Sequence, residues 1–335
     1  MAPNIYVFWK LMADPPAPWT RLSRTDNYIR FVVAYASHMQ QIGAATHTPT
    51  VSTFSCGNAP ISQTDTQSGG AMGNHNHSAP PSWIISSNTN NPPYYALDVI
   101  YMDLGVWQAY ERRFPAGSII ASNAALATGS ELSRFSAADG YYIVHGAPGT
   151  TGGTSTPQSH RAQGTLPNVT PPSTSSYTTG SGGASNVGHG HTVDLNSDAK
   201  YSEPRNLITR LYEALIQTSK ALQDTVVFVD ADPGTTFWEV LTGWANANFK
   251  AGNSDPTITG SDTHSQTASG NSSSYGGSGF AIGGDWGGAV PSSHAHYIQI
   301  GLNDHSHVPL SIQLIPARLK TTLLRNNPSS QCVMC

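Results

Sequence analysis

Charged side chains are scarce in this 335-residue chain, at 11% of the composition, against about 25% in an average globular domain. Lysine and arginine together number 16, and the formal net charge is -4. The sequence therefore lacks the basic surface that nucleic-acid-binding proteins carry. No run approaches the roughly 18 apolar residues of a membrane-spanning helix. We expect neither nucleic acid nor a membrane span in the biology of this protein.

Cysteine is equally sparse, with Cys56 in the first part of the chain and Cys332 and Cys335 in the tail. A lone C-x-x-C in a terminal tail is a weak zinc or redox signal, because both functions need a folded surround. We interpret the two tail residues as free thiols, with a disulfide to a neighbouring subunit as the alternative. The N-terminus also lacks the basic n-region and small-residue cleavage site of a signal peptide, which predicts folding in a cytoplasm.

Small and turn-forming residues take the place of the missing charges: the chain holds 32 glycines and 23 prolines, and serine, threonine and asparagine are abundant. Hydrophobic residues at 38% and aromatic residues at 9% suffice for a packed core, which argues against wholesale disorder. This composition indicates a mainly β protein with long Gly/Ser/Thr-rich loops.

Histidines recur in matched positions along the chain. A single histidine is followed by an H-x-H pair after 28, 29 and 30 residues in three places. The single residues are His47, His160 and His264, and the pairs are His75 with His77, His189 with His191, and His294 with His296. Matched spacing of this kind indicates internal repeats. We predict three tandem divergent β-rich units at 1–113, 114–223 and 224–325, followed by a tail at 326–335.

Each unit reads as an opening strand, an aromatic second strand, a long polar region, a strand carrying H-x-H and a closing strand. The closing strands are YYALDVIYMD, RNLITRLYEAL and LSIQLIPARL, of which the first and third alternate as β-strands do. The second also fits a helical period, and we interpret it as a strand that runs into a short helical connector. The polar regions 48–74, 161–188 and 265–293 exceed the usual length of structureless loops. They are either flexible insertions, or segments that are ordered against neighbouring units or form an exposed, variable contact surface.

On a β-strand, residues i and i+2 face the same side, so both imidazoles of an H-x-H pair would point the same way. Three pairs around a threefold axis would supply six nitrogens, an octahedral set suited to Fe(II), Ni(II) or a similar ion. Such a set leaves no open position for a reacting water, which favours a structural role.

The single histidines would form a second layer, which we assign to hydrogen bonds across the interface because three neutral ligands alone leave a metal site incomplete. His305 and His307 form a further pair that occurs only in the last unit. This pair has no equivalent in the other units, and whether it is a surface feature stays open. His38 and His145 lack counterparts, and we treat them as ordinary surface or core residues.

The stretches SGGAMGNHNHSAP with NNPPYYALDVIYMD, and DPTITGSDTHSQT, resemble bacteriophage tail-fibre and tail-collar-type domains. In that family three chains associate, and their H-x-H pairs bind iron or zinc on the shared axis. The resemblance therefore implies an Fe or Zn ion held by His75, His77, His189, His191, His294 and His296. This chain departs from the family pattern in carrying three diverged units.

Two architectures follow from three units in one chain. Three chains could intertwine about a true threefold axis, each H-x-H level making its own site. Alternatively, the three units of one chain pack around a pseudo-threefold axis and share one site. We favour the second, because unequal neighbours explain why the units have diverged.

These observations predict a bacteriophage virion structural protein without enzymatic activity, in a tail fibre, baseplate or collar appendage. Its partners would be other virion proteins, further copies of itself in a homotrimer, or a host surface receptor. The alternatives are an exported bacterial adhesin or filament subunit and a metal-dependent polysaccharide depolymerase. The first normally carries an export signal, and the second normally carries a motif such as H-E-x-x-H or G-x-S-x-G, which this sequence lacks.

Overall fold

The computed structural model describes residues 3–32, 40–57, 76–109, 113–154, 156–169, 190–200, 203–219, 221–274 and 295–320. Within these ranges the chain is mainly β, which confirms the predicted fold class. The regular helical structure of the same ranges comprises one short α-helix, α1, at Leu104–Ala109 and a 3-10 turn at Thr242–Trp244. In the part of the chain that is described, no helix has the length and hydropathy to cross a bilayer.

The three predicted units contain nine, seven and seven strands within the described residues. The first unit contains β1 Asn4–Trp9, β2 Thr20–Arg21, β3 Asn27–Phe31, β4 Gln41–Ile42, β5 Thr46–His47, β6 Val51–Cys56, β7 Ile84–Ile85, β8 Asn88–Thr89 and β9 Tyr94–Asp103. The second contains β10 Ser118–Ser122, β11 Leu132–Arg134, β12 Tyr142–His145, β13 Thr151–Gly152, β14 Arg161–Thr165, β15 Thr192–Asn196 and β16 Asn206–Ala214. The third contains β17 Thr225–Val229, β18 Trp238–Val240, β19 Asn248–Ala251, β20 Thr257–Thr259, β21 Thr263–Asn271, β22 Tyr297–Ser306 and β23 Ser311–Leu319.

The closing segments are all strands, β9, β16 and β23, but the helical connector predicted after the second one is wrong. The chain after β16 bends at Leu215–Ile216, both of which are exposed, and the short helix α1 follows β9 instead. β16 lies inside a sheet and has buried residues on both faces. A strand buried on both faces carries apolar residues on both, and its pattern then imitates a helical period.

Strands from all three units build one 15-stranded sheet, in which the same pairings recur. The opening strand of each unit runs antiparallel to the closing strand of that unit, as β1–β9, β10–β16 and β17–β23. The aromatic second strand runs parallel to the closing strand of another unit, as β12–β9, β19–β16 and β3–β23. Each unit is therefore joined to both of the others by backbone hydrogen bonds.

Aromatic rings from the first and third units meet in the core of this sheet. Phe8 and Phe31 each pack against Phe228 and Phe249, with ring centroids 5.1 to 5.8 Å apart. All four side chains are fully or almost fully buried. Edge and stacked contacts of this kind add to the free energy gained from the apolar area that is buried.

Two smaller three-stranded sheets, β15-β14-β7 and β21-β22-β6, are separate from the large sheet. β15 and the first half of β22 alternate buried and exposed residues, as expected where one sheet face is covered and the other meets water. The covered face is a separate apolar cluster built on Ala162, Val193, Leu195, Ala268, Ile298, Ile300 and their neighbours.

The start of each long polar region is ordered in these small sheets. β6 of the first unit pairs with β22 of the third, and β7 of the first pairs with β14 of the second. The beginnings of 48–74, 161–188 and 265–293 are thus strands β6, β14 and β21, and the segments 58–75, 170–189 and 275–294 lie outside the described residues. Ordering against neighbouring units is the correct alternative for the described portions.

Phe228→Ala should lower the free energy of unfolding by about 3–5 kcal/mol, because a fully buried phenylalanine leaves a cavity among three other rings. Phe237→Ala is the matched control, since Phe237 is 37% exposed, and it should cost no more than about 1 kcal/mol. Urea unfolding monitored by circular dichroism measures both. Equal losses would contradict the proposed location of the core.

Candidate metal centre

Three histidines, one from each of the three predicted units, meet at one end of the small sheets. His77, His191 and His296 are 3%, 1% and 0% exposed. Their ring centroids are 4.7 to 4.9 Å apart, and the rings are inclined to one another by 80 to 84°. One ring nitrogen from each lies within 4.8 Å of the other two. The three rings are therefore nearly perpendicular to one another.

Each of these rings is oriented by a carbonyl oxygen of another unit. The Nδ1 atom of His77 lies 2.8 Å from the Pro167 oxygen. The Nδ1 atom of His191 lies 2.7 Å from the Ser273 oxygen, and that of His296 lies 2.9 Å from the Gly57 oxygen. A carbonyl oxygen only accepts hydrogen bonds, so Nδ1 carries the proton and donates. In a neutral imidazole the lone pair is then on Nε2, the atom that binds a metal. Hydrogen bonds of this kind to metal-bound histidines fix both tautomer and ring direction.

The ends of the small strands bring these groups together. Gly57 follows β6 directly, while Pro167 and Ser273 each stand two residues beyond β14 and β21. Leu166 donates its backbone N–H to the His191 oxygen at 2.7 Å, and Ser272 donates to the His296 oxygen at 2.8 Å.

The residue between the two histidines of the second pair is a glycine for a steric reason. A Cβ atom at Gly190 would lie 2.7 Å from the Leu166 oxygen and 2.8 Å from Oδ1 of Asn168. Both distances are shorter than real Cβ contacts, so a larger residue would push His191 away from the centre.

The prediction that H-x-H lies on a strand is wrong for the described half of each pair. His191 and His296 stand immediately before β15 and β22, and His77 lies in a segment without regular structure ahead of β7. The backbone leaves the sheet here because the rings turn inward to meet one another. The first histidines of the pairs, His75, His189 and His294, lie outside the described residues. Six-nitrogen coordination therefore stays a prediction.

Cys56 borders the centre, and the His77 backbone N–H donates to its Sγ at 3.5 Å. Burial raises the pKa of its thiol. Its Sγ lies 3.6 Å from the Gly57 oxygen, the same oxygen that orients His296. The cysteine therefore belongs to the surroundings of the ring triad.

The predicted second layer exists as a larger cluster at the opposite ends of the small strands. His47 and His160 face each other, with their Nε2 atoms 3.1 Å apart. His264 instead pairs with His307, with their Nδ1 atoms 2.7 Å apart. His305 packs between these two pairs, with ring centroids 4.7 Å from His47 and 4.4 Å from His264.

His305 and His307 are therefore not surface residues: both are buried. The sequence signal for this site is that His305 and His307 repeat the H-x-H pattern, although the other two predicted units have no equivalent pair. A hydrogen bond between rings fits His264 and His307, and the layer has five members rather than the three predicted.

Two members of the second layer, His47 and His264, are neutral at pH 7. Burial lowers the pKa of His47 to about 4; the hydrogen bond that His47 donates to Asn90 opposes the shift, and the nearby His305 and His160 add to it. Burial and the neighbouring His307 and His305 lower the pKa of His264 to about 4. Neutral imidazole is the form that binds Zn²⁺, Fe²⁺, Ni²⁺ and Cu²⁺.

The remaining candidates lie elsewhere. His145 is fully buried in β12 within the large sheet, away from both histidine layers. His38, Cys332 and Cys335 lie outside the described residues, so the tail disulfide stays a prediction.

Compared with known proteins, the chain matches no family profile, no curated protein and no solved structure. The resemblance to phage tail-fibre and collar domains therefore rests on the sequence motifs alone.

His191→Ala should bind one metal ion fewer per chain than the wild type, because it removes one of three converging nitrogens. It should also lose the ion's share of stability, about 2.7 kcal/mol when free ion exceeds the dissociation constant 100-fold. Elemental analysis and urea unfolding with and without ion measure the two effects. The control His145→Gln should keep the ion, and unchanged ion content in His191→Ala would rule out this centre.

His145 predicts a specific loss of stability in acid. Burial lowers its pKa to about 4, although Asp98 and Asp26 oppose the shift. In the unfolded chain His145 binds a proton below about pH 6.5, whereas in the folded chain it binds one only near pH 4. The free energy of unfolding is therefore unaffected by His145 above pH 6.5 and decreases as the pH falls from 6.5 to 4, by at most about 3 kcal/mol.

His145→Gln cannot gain this charge, so its unfolding free energy should fall less between pH 7 and 4.5 than that of the wild type. Urea titrations at several pH values give both slopes. The other buried histidines contribute equally to the two proteins, and identical slopes would contradict the assignment.

Proposed function

We propose that this chain is a structural protein of a bacteriophage virion, in a tail fibre, baseplate or collar appendage, and that a metal ion clamps its three units together. The observation that carries the proposal is the convergence of His77, His191 and His296. They come from three different units, and 114 and 105 residues of chain separate them. An ion bound to all three would cross-link the whole chain at one point.

A pseudo-threefold arrangement of the units is part of the proposal. It is supported by the recurrence of each strand pairing in the large sheet. It is supported independently by the direction of the imidazole hydrogen bonds. The first unit's histidine donates to the second unit, the second to the third, and the third to the first. A cyclic order of this kind is what three like units around a common axis would produce.

Burial of the triad favours a structural over a catalytic ion. A catalytic metal keeps an open position that substrate reaches, usually with a carboxylate base nearby. Here the three rings are at most 3% exposed, and neither described histidine group includes an aspartate or glutamate. Two surface clefts, one beside Asp232 and Trp238 and one beside Tyr28 and Tyr94, have no histidine in their walls.

A single chain should be the complete structural unit, because it already supplies one histidine from each of three units. Sedimentation equilibrium of the metal-loaded protein should give the chain mass of 35.5 kDa. A mass three times larger that collapses on His191→Ala substitution would support the intertwined homotrimer instead.

The virion assignment is tested separately from the metal. Antibodies against the purified protein should label the tails of intact phage particles produced by the source of this sequence, as seen by immunogold electron microscopy. Labelling of a bacterial cell surface in the absence of particles would overturn the assignment in favour of an adhesin. Release of reducing sugar from a capsular polysaccharide, abolished by His77→Ala, would instead support a depolymerase.

A further inference from the structure

One ring nitrogen from each of three histidines in the second layer, His47, His160 and His305, lies within 4.8 Å of the other two. His47 Nδ1 lies 2.5 Å from Oδ1 of Asn90, whose Nδ2 donates to the Ala44 oxygen at 3.0 Å. The amide orientation is thereby fixed, and the His47 Nδ1–H must donate to Asn90. His160 Nδ1 donates to the Ser86 oxygen at 2.6 Å. With both Nδ1 atoms protonated, both neutral rings present a lone pair at Nε2.

The 3.1 Å between the Nε2 atoms of His47 and His160 needs something positive between them. Two lone pairs at that distance repel unless they share a proton or bind a common cation. Metal–nitrogen bonds of about 2.1 Å at octahedral or tetrahedral angles hold two nitrogens about 3.0–3.4 Å apart. The 3.1 Å between the two Nε2 atoms fits either a shared proton or a shared metal ion. The surroundings of a third ring, that of His305, distinguish the two.

His305 distinguishes these two explanations. Its Nδ1 lies 3.0 Å from the Asn303 oxygen and donates to it, which leaves the lone pair on Nε2. That Nε2 is buried and has no hydrogen-bond partner among the described residues. Its ring stacks on His47, and one nitrogen each of His47, His160 and His305 lies within 4.8 Å of the others. A proton shared by His47 and His160 would leave Nε2 of His305 unsatisfied, whereas a metal ion would satisfy all three.

We propose that His47, His160 and His305 bind a second divalent transition-metal ion, of the zinc type, at the end of the small sheets opposite the first centre. The three residues come from the three units, so this ion too would join the whole chain. Three neutral imidazoles suit Zn²⁺ in tetrahedral geometry and leave its fourth position to a water molecule or a small anion. The inference uses other residues than the first centre and does not depend on the virion assignment.

The third ligand is His305, although the repeat pattern points to His264. His264 stands opposite His305 in the β21–β22 pair, and the register shifts between His264 and Gln266. A bulge of this kind re-aims a side chain, and the His264 ring pairs with His307 rather than joining His47 and His160. The competing choices of third ligand can therefore be tested against each other.

The test is metal content of the full chain after removal of all metal with a chelator, loading with Zn²⁺ alone and dialysis. The wild type should hold two zinc ions per chain, His305→Ala one, and His264→Ala two. The control His145→Gln should also hold two. Addition of His191→Ala to His305→Ala should remove the remaining ion.

Two zinc ions in His305→Ala, or one in the wild type that His191→Ala removes, would overturn the second centre. The latter result would leave the first centre and the proposed function intact. Because a substitution in a buried cluster can unfold the chain, crystals of the zinc-loaded wild type provide an independent measurement. Anomalous scattering at the zinc edge should show a peak between the three Nε2 atoms. A peak at the first centre without one here would equally overturn the proposal.

Discussion

The ring of imidazole-to-carbonyl hydrogen bonds at His77, His191 and His296 is the constraint on which the small sheets depend. Each bond fixes one ring and ties one unit to the next, so none of the three rings is oriented by its own unit alone. The lone pairs of the three rings must then face inward, because Nδ1 is already committed to a carbonyl. A cation at that point could bind one nitrogen from each of the three buried rings at once.

The second histidine layer repeats this logic at the far end of the same strands. β14 and β15 pair over five residues from Arg161–Asn196 to Thr165–Thr192, with His160 just outside one end and His191 just outside the other. His160 and the level of His191 are six residues apart along β14, which at roughly 3.3 Å per residue separates the two layers by about 20 Å. Apolar side chains fill the space between them. The region is thus a short apolar core closed at both ends by polar clusters, and bound ions would supply stability that so small a core lacks.

Sequence patterns predicted the positions of the strands better than they predicted which strands pair in the sheets. The opening and closing strands are visible because apolar runs of β-branched and aromatic residues leave few other options, as in TVVFV of β17. The exchange of partners between units, such as β3 with β23, leaves no trace in local periodicity. The histidine spacing located His77, His191 and His296, but the strand-face argument failed because these residues lie at the ends of strands, where backbone direction is set by tertiary contacts. The histidine spacing does not identify His305 as a site residue, because the other two predicted units have no histidine at the equivalent position.

The unequal membership of the second layer bears on the choice between one chain and three. Identical chains around a true threefold axis place the same residue at three equivalent positions. His47, His160 and His305 are three different residues from three places in one sequence, and the third comes from a strand whose register is shifted relative to its neighbour. Such a set is what the predicted units of a single chain would supply if they surrounded the point and had diverged from one another. The asymmetry of the histidine cluster is therefore an argument for the pseudo-threefold arrangement that does not rely on the recurrence of strand pairings.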